Sequence, residues 1–409
     1  MIDQSYHAKA LLRLTSRLDP KKYKLGRNRK EYLATFEKIN EELIKDDFEF
    51  SQFTKSSRGR KPVYTPSTCK DEFALRKLND NLARVYDVRQ ANRSEIIEQV
   101  ICLMREIIPF FVIKLDIKSF YESIYRQELI ASIKEDISLS YRSRQHLHLL
   151  LGTRKYFTQR GLPRGLGVSA TLAELYMKSF DVKVRNLPGI YFYSRYVDDI
   201  IIFCYKTPDD IIGAATKALP PGLAFNHDKT AQFEFDKKGN CVSKHGVREF
   251  NYLGYNFNFD RVAIKNSSSV KVRIAPNKID KLKNRIMLSI FRYLSDGNYL
   301  LLKDRLRFLS GNCQMKSDRD NGKLLSGIYY NYHLIDDGSV DDLKQLSTFL
   351  ANAVYSKKGS FGIRLNARLS PTQKRELTKY CFKTGFTERI MCNFSPNRLK
   401  EIKQCWAYV

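Results

Sequence analysis

The sequence predicts an α+β fold, with an antiparallel sheet in the middle of the chain and largely helical parts on either side. Two β-rich runs, Ile190-Tyr-Phe-Tyr-Ser-Arg-Tyr196 and Ile200-Ile-Ile-Phe-Cys204, are separated only by Val197-Asp-Asp, which is the pattern of a hairpin with a tight acidic turn. Phe110-Phe-Val-Ile-Lys-Leu115 is a further apolar run of strand length, and it delivers Asp116 at its C-terminal end. From Pro276 the period changes: Ile279, Leu282, Ile286, Ile290 and Leu294 recur at three- and four-residue steps, as on one face of a helix.

The other elements follow in order. Residues 1–70 are polar and basic, with one amphipathic helix around Tyr32, Phe36, Ile39 and Leu43 and a loop through Arg58-Gly-Arg-Lys-Pro62. A helix follows from Asn92, whose apolar face is Ile96, Ile97, Val100, Ile101, Met104 and Ile107. Asn92 with Glu95 three residues later predicts its capping box. Pro109 ends that helix, because proline can neither donate to nor continue the ladder. Residues 128–158 have a helical pattern, and residues 161–167 form a loop. Ser169 is placed to cap a helix running to about Val184. A second strand pair is expected from residues 232–235 and 250–259. Ser295-Asp-Gly-Asn298 breaks the helix from Pro276, a further helix ends near Gly311, and helices continue to the C-terminus.

The 409 residues exceed what one hydrophobic core usually supports, so two or three subdomains are expected. Apolar residues at 43% and aromatics at 12% exclude a disordered chain. Lys and Arg number 71 against 44 Asp and Glu, and the resulting net charge of +27 implies a polyanionic partner such as nucleic acid. The eight cysteines include no C-x-x-C pair, which argues against a zinc site or a disulfide framework and for reduced, mostly buried thiols. The N-terminus lacks the apolar core of a signal peptide, and the longest apolar run, Ile107 to Ile113, is too short to span a bilayer. A soluble protein of the cytoplasm is expected.

Three carboxylates stand out by position. Adjacent carboxylates repel, so the Asp198-Asp199 turn is costly unless a cation neutralises it. Mg²⁺ takes hard oxygen ligands and keeps water and phosphate in its shell. Two such ions can activate an attacking hydroxyl and stabilise a leaving pyrophosphate. One carboxylate, Asp116, ending a strand and two on a neighbouring hairpin suit that task. Asp209-Asp210, Asp336-Asp337 and Asp341-Asp342 lack flanking strands and read as solvated turns or helix starts.

Tyr196-Val-Asp-Asp199 resembles the YxDD box of reverse transcriptases. Ile113-Lys-Leu-Asp-Ile-Lys-Ser-Phe-Tyr-Glu-Ser-Ile124 is similar to that family's first palm motif, and Gly161-Leu-Pro-Arg-Gly-Leu-Gly-Val-Ser169 to its second. Phe225-Asn-His-Asp-Lys-Thr230 resembles the lysine-bearing motif after the hairpin, and Asn251-Tyr-Leu-Gly254 the primer grip. Five boxes in the family's order make a specific match, whereas any one alone is weak. The resemblance implies a right-hand polymerase fold. It puts the N-terminal region and fingers at 1–110 and the palm at 111–260, with part of the fingers at about 128–165. The thumb would be 261–335, and a helical C-terminal region 336–409.

It also implies roles. Asp116, Asp198 and Asp199, with the Ile117 carbonyl, would hold two Mg²⁺ ions. Tyr121 would be the steric gate against a ribose 2′-hydroxyl, and Lys229 would protonate the leaving pyrophosphate. Arg89, Arg93, Arg164 and Gly165 would contact the nucleotide, the loop glycines letting backbone approach it, and Tyr252, Leu253 and Gly254 the primer. Arg164 stands where relatives commonly have Gln.

The opening Met-Ile-Asp-Gln-Ser-Tyr-His-Ala-Lys and the run Ser326-Gly-Ile-Tyr-Tyr-Asn-Tyr-His-Leu-Ile335 most resemble the first subunit of the type-three defence-associated system among bacterial phage-defence reverse transcriptases. That implies an RNA-directed DNA polymerase with an RNA template, a DNA product, deoxynucleotides, a partner non-coding RNA and a companion reverse transcriptase. Template-independent or protein-primed DNA synthesis is one alternative. An inert RNA-binding scaffold with a polymerase fold is another.

Overall fold

The computed structural model describes residues 2–58, 61–106, 108–153, 155–157, 160–237, 241–242, 248–259, 270–316 and 323–406. The chain divides into two compact units: residues 1–96 with 108–236, and residues 97–107 with 237–317 and 321–409.

The first unit begins with helices α1 (Ala8–Arg13), α2 (Asp19–Tyr23) and α3 (Arg29–Leu43). Where a loop is expected, β1 (Thr54–Arg58) and β2 (Lys61–Thr65) pair antiparallel instead. Helix α4 (Cys69–Val85) comes next, capped by the Thr68 side chain, which accepts from the Asp71 amide. Asn92 stands ahead of α5 (Arg93–Leu103), whose 97–103 part belongs to the second unit. The expected box is incomplete: the Asn92 side chain accepts from the Ser94 amide, and Glu95 meets the Asn92 side-chain amide rather than its backbone. Ile107, counted in the apolar face, lies outside the described residues.

Strand β3 (Phe110–Asp116) then leads into a single turn, α6 (Phe120–Ser123), followed by α7 (Arg126–Lys134), α8 (Tyr141–Leu147), a π-helical turn at His148–Gly152, and α9 (Gly167–Arg185). Ser169 does not cap α9. It lies inside the helix, and its hydroxyl donates to the Pro163 carbonyl at 2.6 Å, tying the preceding loop to the helix start. β4 (Ile190–Tyr196), β5 (Asp199–Cys204), α10 (Pro208–Ala218) and β6 (Ala231–Phe235) complete the unit.

Its sheet has the order β4-β5-β3-β6, all antiparallel. Residues 231–235 therefore pair with β3, and the pairing with residues 250–259 that the sequence suggested does not form. Ile200 through Cys204 are fully buried, as befits an interior strand. Ile113, Leu115, Ile200 and Ile202 join Phe73, Leu78 and Leu82 of α4 and Leu172 and Met177 of α9 in one core. Phe110, Phe203 and Phe235 stack across three strands, with centroids 5.8 and 4.6 Å apart.

The second unit holds a sheet of β7 (Glu249–Tyr252), β8 (Tyr255–Asn258) and β9 (Lys271–Ile274). Helix α11 (Pro276–Asp296) ends on Gly297, left-handed at φ 66°, and α12 (Tyr299–Ser310) starts on an Asn298 cap. The remainder is not wholly helical. β10 (Asn312–Lys316), β11 (Lys323–Gly327) and β12 (Met391–Cys392) form a small sheet amid α13 (Asp341–Val354), α14 (Gly359–Arg368), α15 (Pro371–Thr378), α16 (Phe382–Thr387) and α17 (Pro396–Gln404). Among the described residues no cysteine pairs in a disulfide; Cys204, Cys313 and Cys392 are buried, Cys102 is exposed and the other four are intermediate. No described helix is long and apolar enough to cross a membrane.

Candidate active site

The hairpin between β4 and β5 closes on two residues, Val197 and Asp198. Val197 has φ 59°. A β-branched side chain is strained there, and such strain persists where the surroundings over-determine it. The source of that restraint is Arg195. Its guanidinium is buried and donates to Asp181 at 2.8 and 2.7 Å, to Glu174 at 3.2 and 2.6 Å, and to the Val197 carbonyl at 3.0 Å. Every edge of the fork is used, and helix α9, which carries both carboxylates, is locked to the turn.

The turn in turn meets β3. Asp116 lies opposite Asp199 in the β3–β5 register, and the Ile117 amide donates to the Asp198 carbonyl at 3.0 Å. Directly opposed residues project on the same side of a sheet, so the strand pairing itself brings two of the carboxylates together. The Asn226 amide donates to the Asp116 carbonyl at 2.7 Å and the Lys118 amide to that of Ala224 at 2.9 Å, which pins the segment after the strand.

Burial, reinforced by the Asp116 carboxylate, holds Asp198 above the usual carboxylate range. Asp199 is raised in the same way, by burial and then by Asp198. The Lys229 ammonium is 2.9 Å from Asp116 Oδ1, and that hydrogen bond raises its own pKa. Among the described residues no three His, Cys, Asp or Glu side chains are drawn together closely enough to hold an ion unaided. The donor chemistry still fits Mg²⁺, which takes few protein oxygens and completes its shell with water and phosphate. These are hard oxygens with mutual repulsion left to neutralise.

Tyr121 lies on the α6 turn. Ser119, just before that turn, is left-handed at φ 48°. Burial and then Glu174 raise the Tyr121 phenol, and Asp198 adds to the shift, so the ring sits within the field of the acidic turn and stays protonated. The 161–167 loop packs against this segment. The Leu162 amide donates to the Tyr121 carbonyl at 2.7 Å, and the Tyr64 amide of β2 to the Arg164 carbonyl at 2.7 Å. A Cβ on Gly161 would stand 2.1 Å from the Tyr121 carbonyl oxygen, and one on Gly165, at φ 96°, 2.4 Å from that of Tyr64. The glycines therefore permit a close approach of the loop to the chain's own backbone.

Asp116, Ile117, Tyr121, Arg164, Asp198, Asp199 and Lys229 thus belong to one neighbourhood. Arg89 instead pairs with Asp87 at 3.1 Å, both side chains almost fully exposed, and Arg93 opens α5. Tyr252, Leu253 and Gly254 are in the second unit, at the two-residue turn of the β7–β8 hairpin, with Leu253 at φ 44° and Gly254 at φ 85°. Sequence reasoning missed Arg195, Glu174, Asp181 and Asn226. An arginine inside an otherwise β-rich run was the one available signal, since a buried charge demands partners.

Residues 72–257 match the model of the family described as reverse transcriptase (RNA-dependent DNA polymerase). A comparison with curated proteins found none that matches. Among solved structures, the chain is similar to apo telomerase of Candida tropicalis truncated of its C-terminal domain, at 14% identity, covering 57% of this chain and 56% of that one, with TM-score 0.37. It is also similar to Candida albicans telomerase with a fragment of telomeric RNA, at 13% identity, covering 80% and 53%, with TM-score 0.36. The corresponding Candida tropicalis complex matches at 13% identity over 90% and 65%, with TM-score 0.36. The chain thus spans between 53% and 65% of the length of these structures. With the α+β fold bringing the three carboxylates together, residues 72–257 are thus similar to the reverse transcriptase (RNA-dependent DNA polymerase) family.

Proposed function

We propose that the chain is an RNA-directed DNA polymerase that uses two Mg²⁺ ions and copies a partner non-coding RNA in anti-phage defence, in the bacterial cytoplasm and beside a companion reverse transcriptase. One observation carries the catalytic part: Asp116 faces Asp199 across the β3–β5 ladder while the Asp198 carbonyl accepts from the Ile117 amide. In this reading Asp116, Asp198, Asp199 and the Ile117 carbonyl hold the ions. Bound there, divalent ions supply activation of the attacking hydroxyl and neutralisation of the leaving pyrophosphate. Lys229, kept protonated by its bond to Asp116, supplies the proton for the leaving group. Tyr121 excludes the ribose 2′-hydroxyl, Arg89, Arg93 and Gly165 serve the nucleotide, and Tyr252, Leu253 and Gly254 grip the primer. The defence role and its partners rest on the resemblance of the N-terminal segment, the Leu162–Ser169 box and residues 326–335.

Primer extension on an RNA template, wild type beside Asp198→Asn, tests the reading. The variant should lose on the order of a thousandfold, matching the several kcal/mol of charge stabilisation that metal ions supply. Equal extension by both proteins would overturn the carboxylate assignment. DNA that remains attached to the protein after denaturation would replace it with protein-primed synthesis, and no extension by either would favour a nucleic-acid-binding scaffold.

A further inference from the structure

Arg164 makes two contacts with consecutive residues of the gate segment. Its Nε and Nη2 donate to the two oxygens of Glu122 at 2.8 and 3.2 Å, the paired geometry in which a guanidinium fork fits a carboxylate. Its guanidinium carbon lies 5.1 Å from the centre of the Tyr121 ring, within range of a cation–π contact. Lys61 of β2 adds a second cation to Glu122 at 3.2 Å. The arginine is itself anchored, because its carbonyl accepts from the Tyr64 amide in the same strand.

The gate needs such support. α6 is four residues long, and its N-terminus has no side-chain cap. One turn of helix is not stable alone, so its orientation has to come from tertiary contacts. A glutamine at 164 could donate to Glu122, but it could supply neither the paired geometry nor a cation for the ring. The pair is about one-third exposed on each side, and ion pairs that open to solvent add little to global stability. What it contributes is the placement of the segment it holds.

We propose that Arg164 is the positioning residue of the sugar gate, fixing the Tyr121 ring through its grip on Glu122. This rests on the polymerase reading above. It assigns Arg164 away from direct phosphate contact, since the guanidinium already has a full carboxylate partner.

The test compares kcat and KM for a deoxynucleotide and the matching ribonucleotide in wild type, Arg164→Gln, Arg164→Lys and Glu122→Gln, with Tyr121→Ala as the open-gate reference. The reference should lose roughly a hundredfold of sugar discrimination, and Arg164→Gln and Glu122→Gln about tenfold each. Arg164→Lys, which keeps the charge but not the fork, should fall between. The deoxynucleotide KM should move less than the discrimination ratio. If Arg164→Gln raises both KM values alike and leaves the ratio intact, the residue is a phosphate contact and the inference fails. If the wild type extends no primer with either sugar, the polymerase reading fails. Fluorescence titration with dATP and ATP then decides the gate separately, since a deoxy preference that survives Arg164→Gln overturns the inference and its loss supports it.

Discussion

Burial and the Asp198 carboxylate hold Asp199 above the usual carboxylate range, so its ionisation works against folding in the metal-free protein. Between the ordinary Asp value and the raised one, the folded chain keeps a proton that the unfolded chain has lost. Stability must therefore fall as pH rises through that window. Asp199→Asn removes the effect: from about pH 4 upward its metal-free stability should decline less than that of wild type. Thermal unfolding in chelator at several pH values checks this, and parallel curves would show that repulsion at the turn is relieved some other way. The placement of the three carboxylates was legible in the sequence, because an acidic pair between two apolar strands marks a hairpin turn and Asp116 ends a third apolar run. The partnership of Arg164 was not legible. Glu122 lies 42 residues away, and no periodicity connects a loop arginine to it.

Helix α9 and strand β4 are joined by the Arg195 cluster. Replacing Arg195 with Met would leave Glu174 and Asp181 without their cation in a part-buried site. Breaking one side of a buried ion pair costs about 3–5 kcal/mol. Urea unfolding of Arg195→Met should show a loss of that order; a loss below about 1 kcal/mol, the range of exposed pairs, would mean that water replaces the arginine. Elements with strong patterns were read correctly from sequence: β3, the β4–β5 hairpin, α11 and α12 with its Gly311 terminus. Pairing was harder. Residues 231–235 alternate as a strand should, but alternation does not say which neighbour it will find, and β3 had a free edge. Ser169 carried the chemistry of a cap and was used to tether a loop. Helix α4 went unread although its Thr68 cap was present, because its apolar face is interrupted by the buried Asp71, Lys77 and Asn81.

Across the whole molecule the net charge of +27 sets the terms on which a nucleic acid is held. If phosphate neutralisation dominates, affinity for single-stranded RNA should drop tenfold or more between roughly 50 and 200 mM salt. Fluorescence anisotropy across that range, with Asp198→Asn beside wild type, should give the same steep slope for both. A flat slope would remove the polyanion from the argument. The composition made this much legible. It could not reveal that one compact unit ends at residue 236, soon after β6, since the polar run Asp236-Lys-Lys-Gly-Asn240 reads equally as a turn between strands of one unit.

The bond between Lys229 and Asp116 gives the centre a counter-ion of its own. In the proposed two-metal reading, a divalent cation arriving at Asp116 would meet an ammonium already in place, so loading would be an exchange and not a simple association. The lysine would have to yield ground before the ion gained it, and its hold on the carboxylate would become part of the apparent affinity for metal. On that reading, the concentration of free ion at which the centre fills would be adjustable from position 229, through length, charge or tether, without altering a single carboxylate.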